Sequence, residues 1–209
     1  MPDTLDAVTS PPKPDRFDRA LVYVVRALGQ VNVTKLEKIL YLADLEHFHR
    51  TGKTLTGARW VRYKLGPLAK RLVHARDEMA GQEIRVSGEA QGDRQAQVYR
   101  PGPSPRFEPD LGPEERRDLD RMIELARPLN SDQMIRLAYN TTPMRFLLSQ
   151  ERGKPRYNVS IPFELDLSVV AAGSAETVAA DAEARRAFKL RELERIADIQ
   201  EATLARVGG

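Results

Sequence analysis

The sequence predicts a mainly helical α+β protein, in which a compact helical domain carries one small β-hairpin and is followed by a long C-terminal helix. Apolar residues recur at helical spacing through most of residues 15–150, which is the pattern of amphipathic helices. Residues 83–100 instead form two strand-like runs around Gly92-Asp93, which indicates a hairpin. Residues 175–207 are rich in Ala, Glu and Arg, which favour helix.

The chain divides into three predicted regions. Residues 1–14 are rich in proline and offer little apolar surface to bury, so we expect a disordered arm. Residues 15–152 form the helical domain with its hairpin. Residues 153–209 begin with an irregular linker and end in the long helix.

The first two helices have clear boundaries in the sequence. Asp15 is placed to cap a helix that stops at Gly29, because short polar side chains favour the N-cap and glycine favours the C-terminal stop. The second helix opens on a capping box, Thr34 to Glu37, and ends at Gly52. It is apolar around much of its circumference, which predicts a central position in the core.

The elements that follow suggest a winged-helix-like order. Residues 58–65 are aromatic and β-branched enough for a short strand, which Gly66-Pro67 is expected to break. Residues 68–80 predict a third helix, and the hairpin of residues 83–100 comes next. Helices followed by a hairpin in this order are typical of winged-helix domains.

Three further helices are predicted, two of them short, after a proline-rich loop at residues 101–112. The first covers residues 114–127. Ser131 or Asp132 is expected to cap the next. Pro143 suits the first turn of the last, where its missing N–H costs nothing.

The composition excludes several classes of protein. The 209 residues are 41% hydrophobic and 30% charged and include no cysteine, as in ordinary globular proteins. Disulfide frameworks and thiolate metal sites are therefore excluded, and zero cysteines fits the reducing cytoplasm, where we expect the protein. No segment reaches the ~18 apolar residues of a membrane-spanning helix, so no membrane partner is expected.

No catalytic motif is present, since G-x-S-x-G, the P-loop, G-x-G-x-x-G and H-E-x-x-H are all missing. His47 and His49 point in nearly opposite directions on a helix, and Asp44 with His47 offers too few donors for a metal ion. The carboxylates of Asp118 and Asp120 are predicted to face solvent. We therefore predict no enzyme activity, no cofactor and no metal site.

Several spaced motifs resemble one known family. The second helix carries a K-L-x-K-hydrophobic-L-Y pattern, and a G-x-x-L-T-G turn and an aromatic run ending in Gly-Pro follow it. Their residues are Lys35, Leu36, Lys38, Leu40, Tyr41, Gly52, Leu55, Thr56, Gly57, Trp60, Tyr63, Gly66 and Pro67. The later segment SDQMIRLAYNTTPMR carries a Y-x-T-x-P-M motif. Over roughly residues 16–150 the chain resembles the Panacea (SocA-like) antitoxin domain.

The resemblance implies an antitoxin of a bacterial or phage toxin–antitoxin pair, which neutralises a cognate toxin by direct binding. Members of that family accompany many unrelated toxins, so the toxin is not identified. Arginine and aromatic side chains are common anchors of protein interfaces, and the predicted contacts in the domain are Tyr41, Arg59, Trp60, Tyr63 and Lys64. The alternative interpretation is that Trp60 and Tyr63 fill the core.

A DNA-binding transcriptional regulator is the alternative function. Residues 50–106 carry 12 basic and 5 acidic side chains, and a local positive excess attracts DNA or an acidic protein surface. In a winged-helix domain the third helix would enter the major groove and the hairpin would form the wing. The cations so placed are Lys70, Arg71, His74, Arg76, Arg85, Arg94 and Arg100. A solvated face is the third interpretation.

The C-terminal helix also has two interpretations. Phe188, Leu190 and Leu193 are predicted to contact the toxin or a second copy of the chain, which would form a homodimer. The other interpretation is a helix that packs back on the domain. Arg186 and Gln200 interrupt the apolar seam, which argues against a long coiled coil.

Overall fold

The structure is a computed structural model that describes residues 13–91, 94–151 and 153–165. Within these ranges the chain forms six helices and two three-stranded antiparallel sheets. The helices are α1 Arg16–Leu28, α2 Val33–Thr51, α3 Arg71–Met79, α4 Pro113–Ala126, α5 Ser131–Tyr139 and α6 Thr142–Ser149. The strands are β1 Val31–Asn32, β2 Trp60–Tyr63, β3 Gly66–Ala69, β4 Ile84–Gln91, β5 Arg94–Pro101 and β6 Val159–Ser160. The α+β class is confirmed.

Helix α2 lies at the centre of the core, as its apolar circumference predicts. It packs against α1, α4 and α5, and Leu36, Ile39 and Leu40 are fully buried. The capping box predicted at Thr34 is wrong. The helix begins earlier, and Asn32 caps it by accepting a hydrogen bond from the Lys35 backbone N–H at 2.9 Å.

The other helix boundaries follow the sequence closely. Asp15 caps α1 by accepting the Asp18 amide at 2.8 Å, and Gly29 ends that helix with a positive φ. Pro143 lies in the first turn of α6, as predicted. Helix α5 is capped by Asn130 and not by the residues after it, because the Asn130 carboxamide reaches the amide of Gln133.

The predicted hairpin is confirmed as β4 and β5. Its register pairs Ile84 with Pro101, and the short β1 extends the sheet by pairing Val31 with Tyr99. The strand order is therefore β1-β5-β4. Ile84 and Tyr99 are buried against the helices, so this sheet closes one side of the core.

A second hairpin, β2 with β3, stands where the sequence predicted a break at Gly66-Pro67. These two residues begin β3, and Pro67 pairs with Arg62 of β2. Strand β3 is at the edge of the β3-β2-β6 sheet, where a proline is tolerated because its missing N–H faces no partner strand. Helix α3 is correspondingly shorter than the predicted residues 68–80.

The winged-helix order is not supported, because this second sheet separates α2 from α3 and includes a strand from near residue 160. The predicted disordered arm, apart from its last residues, and the predicted long C-terminal helix lie outside the described residues. No helix in the described part of the chain is long and apolar enough to cross a bilayer.

Helix α4 contains a buried acid that the sequence analysis placed in solvent. Asp118 is 3% exposed; its carboxylate oxygen Oδ2 lies 2.8 Å from His47 Nδ1 and also accepts a hydrogen bond from Arg50. The three groups join α4 to the C-terminal end of α2. Asp120, two residues on, does face solvent and accepts a hydrogen bond from the Tyr23 hydroxyl at 2.6 Å.

We expect Asp118→Ala to lower the free energy of unfolding by about 3 kcal/mol, because it leaves buried His47 without its partner and removes the closer carboxylate of the partly exposed Arg50. Glu124→Ala is the matched control on the same helix. Its ion pair with Arg127 is 69% and 49% exposed, and its loss is expected to cost less than about 0.5 kcal/mol. Urea titrations of both variants measure the difference, and equal stabilities would contradict this assignment.

Candidate functional site

Buried polar side chains of α2 fix the β2–β3 hairpin in place. Asp44 is fully buried, and its carboxylate accepts hydrogen bonds from the Thr56 backbone N–H at 2.7 Å and from Trp60 Nε1 at 2.6 Å. The Thr56 hydroxyl is a further donor. The loop before β2 and the first residue of β2 are thereby tied to the helix.

Burial changes the protonation of Asp44. It raises the pKa of this carboxyl to about 6, because loss of water penalises the charged form more than the donors of Thr56 and Trp60 stabilise it. Trp60 is the only tryptophan of the chain. Its indole therefore lies in direct contact with the titrating group.

Lys38 holds the second strand of the hairpin. Its ammonium group is buried and donates to the main-chain oxygen of Pro67 at 2.8 Å and to the Glu37 carboxylate at 3.2 Å. Burial lowers the pKa of Lys38 and raises the pKa of Glu37, since each charged form loses hydration. The Glu37 partner and the Pro67 oxygen partly offset that loss.

The turn of the hairpin depends on Gly66 and Tyr139. Gly66 has φ of +98°, a conformation that residues with a Cβ rarely adopt, and a Cβ there would lie 3.5 Å from Lys38 Cε and 3.7 Å from the Tyr139 ring. The Tyr139 hydroxyl donates to the main-chain oxygen of Lys64 at 3.2 Å. The Gly-Pro and Y-x-T-x-P-M motifs therefore meet at one place.

Arg62 is a buried cation beneath the turn. Its guanidinium lies 5.3 Å from the ring centroids of both Tyr139 and Tyr157, and Nε donates to Glu151 at 3.2 Å. Two aromatic faces and one carboxylate thus replace the water that the guanidinium loses. This arrangement fixes Tyr157 next to the hairpin.

The exposed side of the turn forms what we call the hairpin-tip surface, which consists of Tyr63, Lys64, Leu65 and Tyr157. Leu65 is 50% exposed and the two tyrosines are about 40% exposed, at 38% and 41%. The two tyrosine rings lie 5.8 Å apart. Most other large apolar side chains described in the structure are buried, so this surface is a candidate interface.

The structure separates the predicted contact residues. Tyr63 and Lys64 lie on the hairpin-tip surface, and Arg59 is exposed at the other end of β2. Tyr41 and Trp60 are 0% and 3% exposed, so in this conformation neither presents a side chain to a partner. The tail residues Phe188, Leu190 and Leu193 lie outside the described residues.

Tyr41 and Trp60 belong to an aromatic cluster that supports the site. Their ring centroids are 5.5 Å apart in an edge-on arrangement, and Phe163 contacts Tyr41 at 5.6 Å. The Tyr41 hydroxyl lies 2.8 Å from Thr141 Oγ1. The core interpretation therefore fits Trp60, whereas Tyr63, the other residue that it covered, is exposed.

The predicted motif residues have structural roles. Leu36 is in the core, and the Lys35 ammonium group reaches the main-chain oxygen of Arg127 at 3.4 Å. Gly52 ends α2 in the left-handed conformation, and Gly57 has φ of +71° in the loop before β2. Gly66 and Pro67 form the hairpin contacts described above.

Sequence reasoning missed the roles of Asp44 and Arg62. Asp44 and His47 do not face a common site, because Asp44 contacts Thr56 and Trp60 while His47 contacts Asp118. The described residues contain no cluster of three or more side chains that suits a metal ion. The alternation of cations and aromatics around Arg62 was the available signal.

Three of the seven basic side chains proposed for DNA contact, Arg71, Arg76 and Arg100, pair with carboxylates within the protein. Arg71 contacts Asp15, Asp18 and Glu78. Arg76, Arg100 and Arg106 pair with carboxylates in the same way. The fold therefore neutralises part of the positive excess of residues 50–106, whereas Lys70 and Arg85 of the proposed set have no carboxylate partner among the described residues.

The site is thus a rigid hairpin with an exposed aromatic tip on an α+β domain, and its supporting residues are those of the sequence motifs. The family model described as "Antitoxin SocA-like, Panacea domain" matches residues 36–143, more than half of the chain. The chain belongs to this antitoxin family, and this membership favours a non-enzymatic role. No curated protein and no solved structure matches the chain.

The contact between Asp44 and Trp60 predicts that the fluorescence of Trp60 depends on pH. We expect Trp60 fluorescence to change with an apparent pKa near 6, as Asp44 titrates beside the indole. Because this pKa is above the unfolded value near 3.8, the folded state binds the proton more tightly, so the contribution of Asp44 to stability falls as pH rises from about 4 to 6. Its total size is at most ~3 kcal/mol.

Asp44→Asn is expected to abolish the fluorescence transition and this part of the pH dependence. His47→Gln, which changes a neighbouring side chain of the same helix, is the control and is expected to keep both. A transition that survives in Asp44→Asn would show that another group produces it.

Proposed function

We propose that this protein is the antitoxin of a toxin–antitoxin pair and neutralises a cognate toxin by direct binding, with the hairpin-tip surface as the main contact. The observation that carries the proposal is the exposure of Tyr63, Leu65 and Tyr157 on a turn held by three internal attachments. Those attachments are the contacts of Lys38, Asp44 and Tyr139 with the hairpin. Membership of the antitoxin family supports the same role.

The chemistry of the tip suits a protein partner. Tyrosine and leucine supply apolar area, the tyrosine hydroxyls supply hydrogen bonds at the rim, and Lys64 supplies a charge. Because the buried contacts already fix the backbone, binding would cost little conformational entropy. A tip of this kind suits occlusion, in which it covers or distorts the active surface of the toxin.

The tip supplies only part of the interface. A stable complex buries about 800 Å² on each partner, which is more than four side chains provide. Arg59, at the other end of β2, and the tail residues Phe188, Leu190 and Leu193 are the further contacts that we propose. Since the chain lacks cysteine, we expect the complex to form in the cytoplasm.

The first test is co-expression with the product of the neighbouring reading frame. We expect the neighbour to be toxic alone, and to be harmless and to co-purify when this chain is present. A neighbour that is harmless alone, or that does not associate with this chain, would remove the basis of the proposal.

Substitutions then test the surface. The double variant Tyr63→Ala/Leu65→Ser is expected to bind the toxin about 30-fold more weakly, as for a loss of ~2 kcal/mol at an interface centre, and to protect cells poorly. Val73→Ala on α3 removes a comparably exposed apolar side chain, 48% exposed, and is expected to protect like the parent. Calorimetry measures affinity, and circular dichroism confirms folding. Equal protection by both variants would place the contact elsewhere.

Promoter binding and self-association are separate proposals about the same chain. We expect little retention of promoter DNA even at low salt, where phosphate contacts are strongest, because Arg71, Arg76 and Arg100 of the proposed DNA face are paired with carboxylates of the protein. Tight, salt-sensitive binding would favour the regulator instead. Light scattering of the free chain tests the proposed homodimer.

A further inference from the structure

An open cleft of about 380 Å³ lies at the end of β2 away from the hairpin tip. Its wall comes from the start of α1, the loop before β2 and the start of α3, and Phe17 and Val61 give it an apolar part. The function proposed above does not use it, apart from Arg59 at its edge.

The cleft carries positive charge that the fold does not neutralise. Asp15 is its acidic member, and Arg71 pairs with that carboxylate at 2.8 Å. Arg59 and Lys70 also line the cleft, are exposed, and have no ion-pair partner among the described residues. Two unpaired cations suit a peptide that carries carboxylates.

The described chain runs toward this cleft as it ends. Strand β6 is antiparallel to β2, pairing Arg62 with Val159 and Val61 with Ser160, and the Ile161 amide donates to the Trp60 oxygen at 3.0 Å. Through Ile161 the chain therefore moves toward the Arg59 end of β2. Asn158, at the start of this run, itself lines the cleft.

The residues that follow have the matching composition. Residues 166–184 contain four acids and no lysine or arginine; the acids are Asp166, Glu176, Asp181 and Glu183. Leu167, Val169 and Val170 lie among them, followed by several alanines. Since extended chain spans about 3.3 Å per residue, even Glu176 is within reach of the cleft.

We propose that the acidic segment 166–184 of this same chain occupies the cleft, with its carboxylates on Arg59 and Lys70. A short tether supplies an effective concentration on the order of millimolar, so weak contacts suffice. The contact would hold the following residues, including Phe188, beside the domain. The inference concerns the chain alone and does not depend on the toxin.

The absence of cysteine allows a direct test on the full chain. Ser174→Cys introduces a single thiol for a nitroxide label, and amide spectra of the isotope-labelled protein report which residues the label approaches. We expect loss of the Gly57, Ala58 and Arg59 amide signals, while that of Gly88 in the β4–β5 hairpin persists. High salt is expected to restore the lost signals, because it screens the contact.

Charge reversal tests whether Arg59 and Lys70 hold the segment. Arg59→Glu/Lys70→Glu is expected to restore the cleft signals, whereas Lys64→Glu/Lys154→Glu, an equal change at two other exposed positions, is expected to leave them broadened. Unaffected cleft signals in the labelled parent would overturn the proposal. So would broadening that appears only when labelled and isotope-enriched copies are mixed, since a second copy would then be the occupant.

Discussion

The fold depends on the burial of two charged side chains, Lys38 and Asp44, on the central helix. Each is almost completely removed from water. The partners of Asp44 are Thr56, in the loop before β2, and Trp60, in β2. One of the two acceptors of Lys38 is the main-chain oxygen of Pro67 in β3. A buried charge without its partner costs several kcal/mol. Helix α2 therefore cannot be buried favourably unless the hairpin is in place, and the two elements form one cooperative unit.

Local sequence patterns predict the structural elements that depend on interactions between residues near one another in the chain. The helical spacing in α1 and α2, the caps at Asp15 and Gly29 and the β4–β5 hairpin all follow from neighbouring residues. The strand at Gly66-Pro67 could not be predicted in this way, because glycine and proline locally indicate a break. What makes it a strand is its edge position and the distant ammonium group of Lys38.

The same limit applies to the candidate site. Alternating cations and aromatics between Arg59 and Lys64 correctly indicate a short strand, but not which residues face the core. Trp60 is buried because Asp44, 16 positions earlier, accepts its N–H. Asp118 is buried against His47 and Arg50, and both partners lie far from it in sequence. Such pairs leave no periodic signal in a single sequence.

Charge counts along the chain mislead for a related reason. The basic excess of residues 50–106 is offset by acids from other segments, as Asp15 and Asp18 of the first helix and its cap do for Arg71, and as Glu151 does for Arg62. Five cations of this stretch, Lys53, Arg59, Lys64, Lys70 and Arg85, form no ion pair among the described residues. The count along the chain therefore overstates the positive charge of the surface, but the fold does not remove all of it.

The attachments of the hairpin also explain how one domain can serve different partners. Lys38 and Tyr139 bind main-chain oxygens, those of Pro67 and Lys64, and Gly66 is required for its backbone conformation. None of these contacts uses the side chains of Tyr63, Lys64 or Leu65. The turn is therefore fixed by its backbone, and the side chains at its tip are free to change without loss of the supporting contacts. A turn that is fixed by its backbone, with side chains that can be replaced at its tip, suits partner specificity.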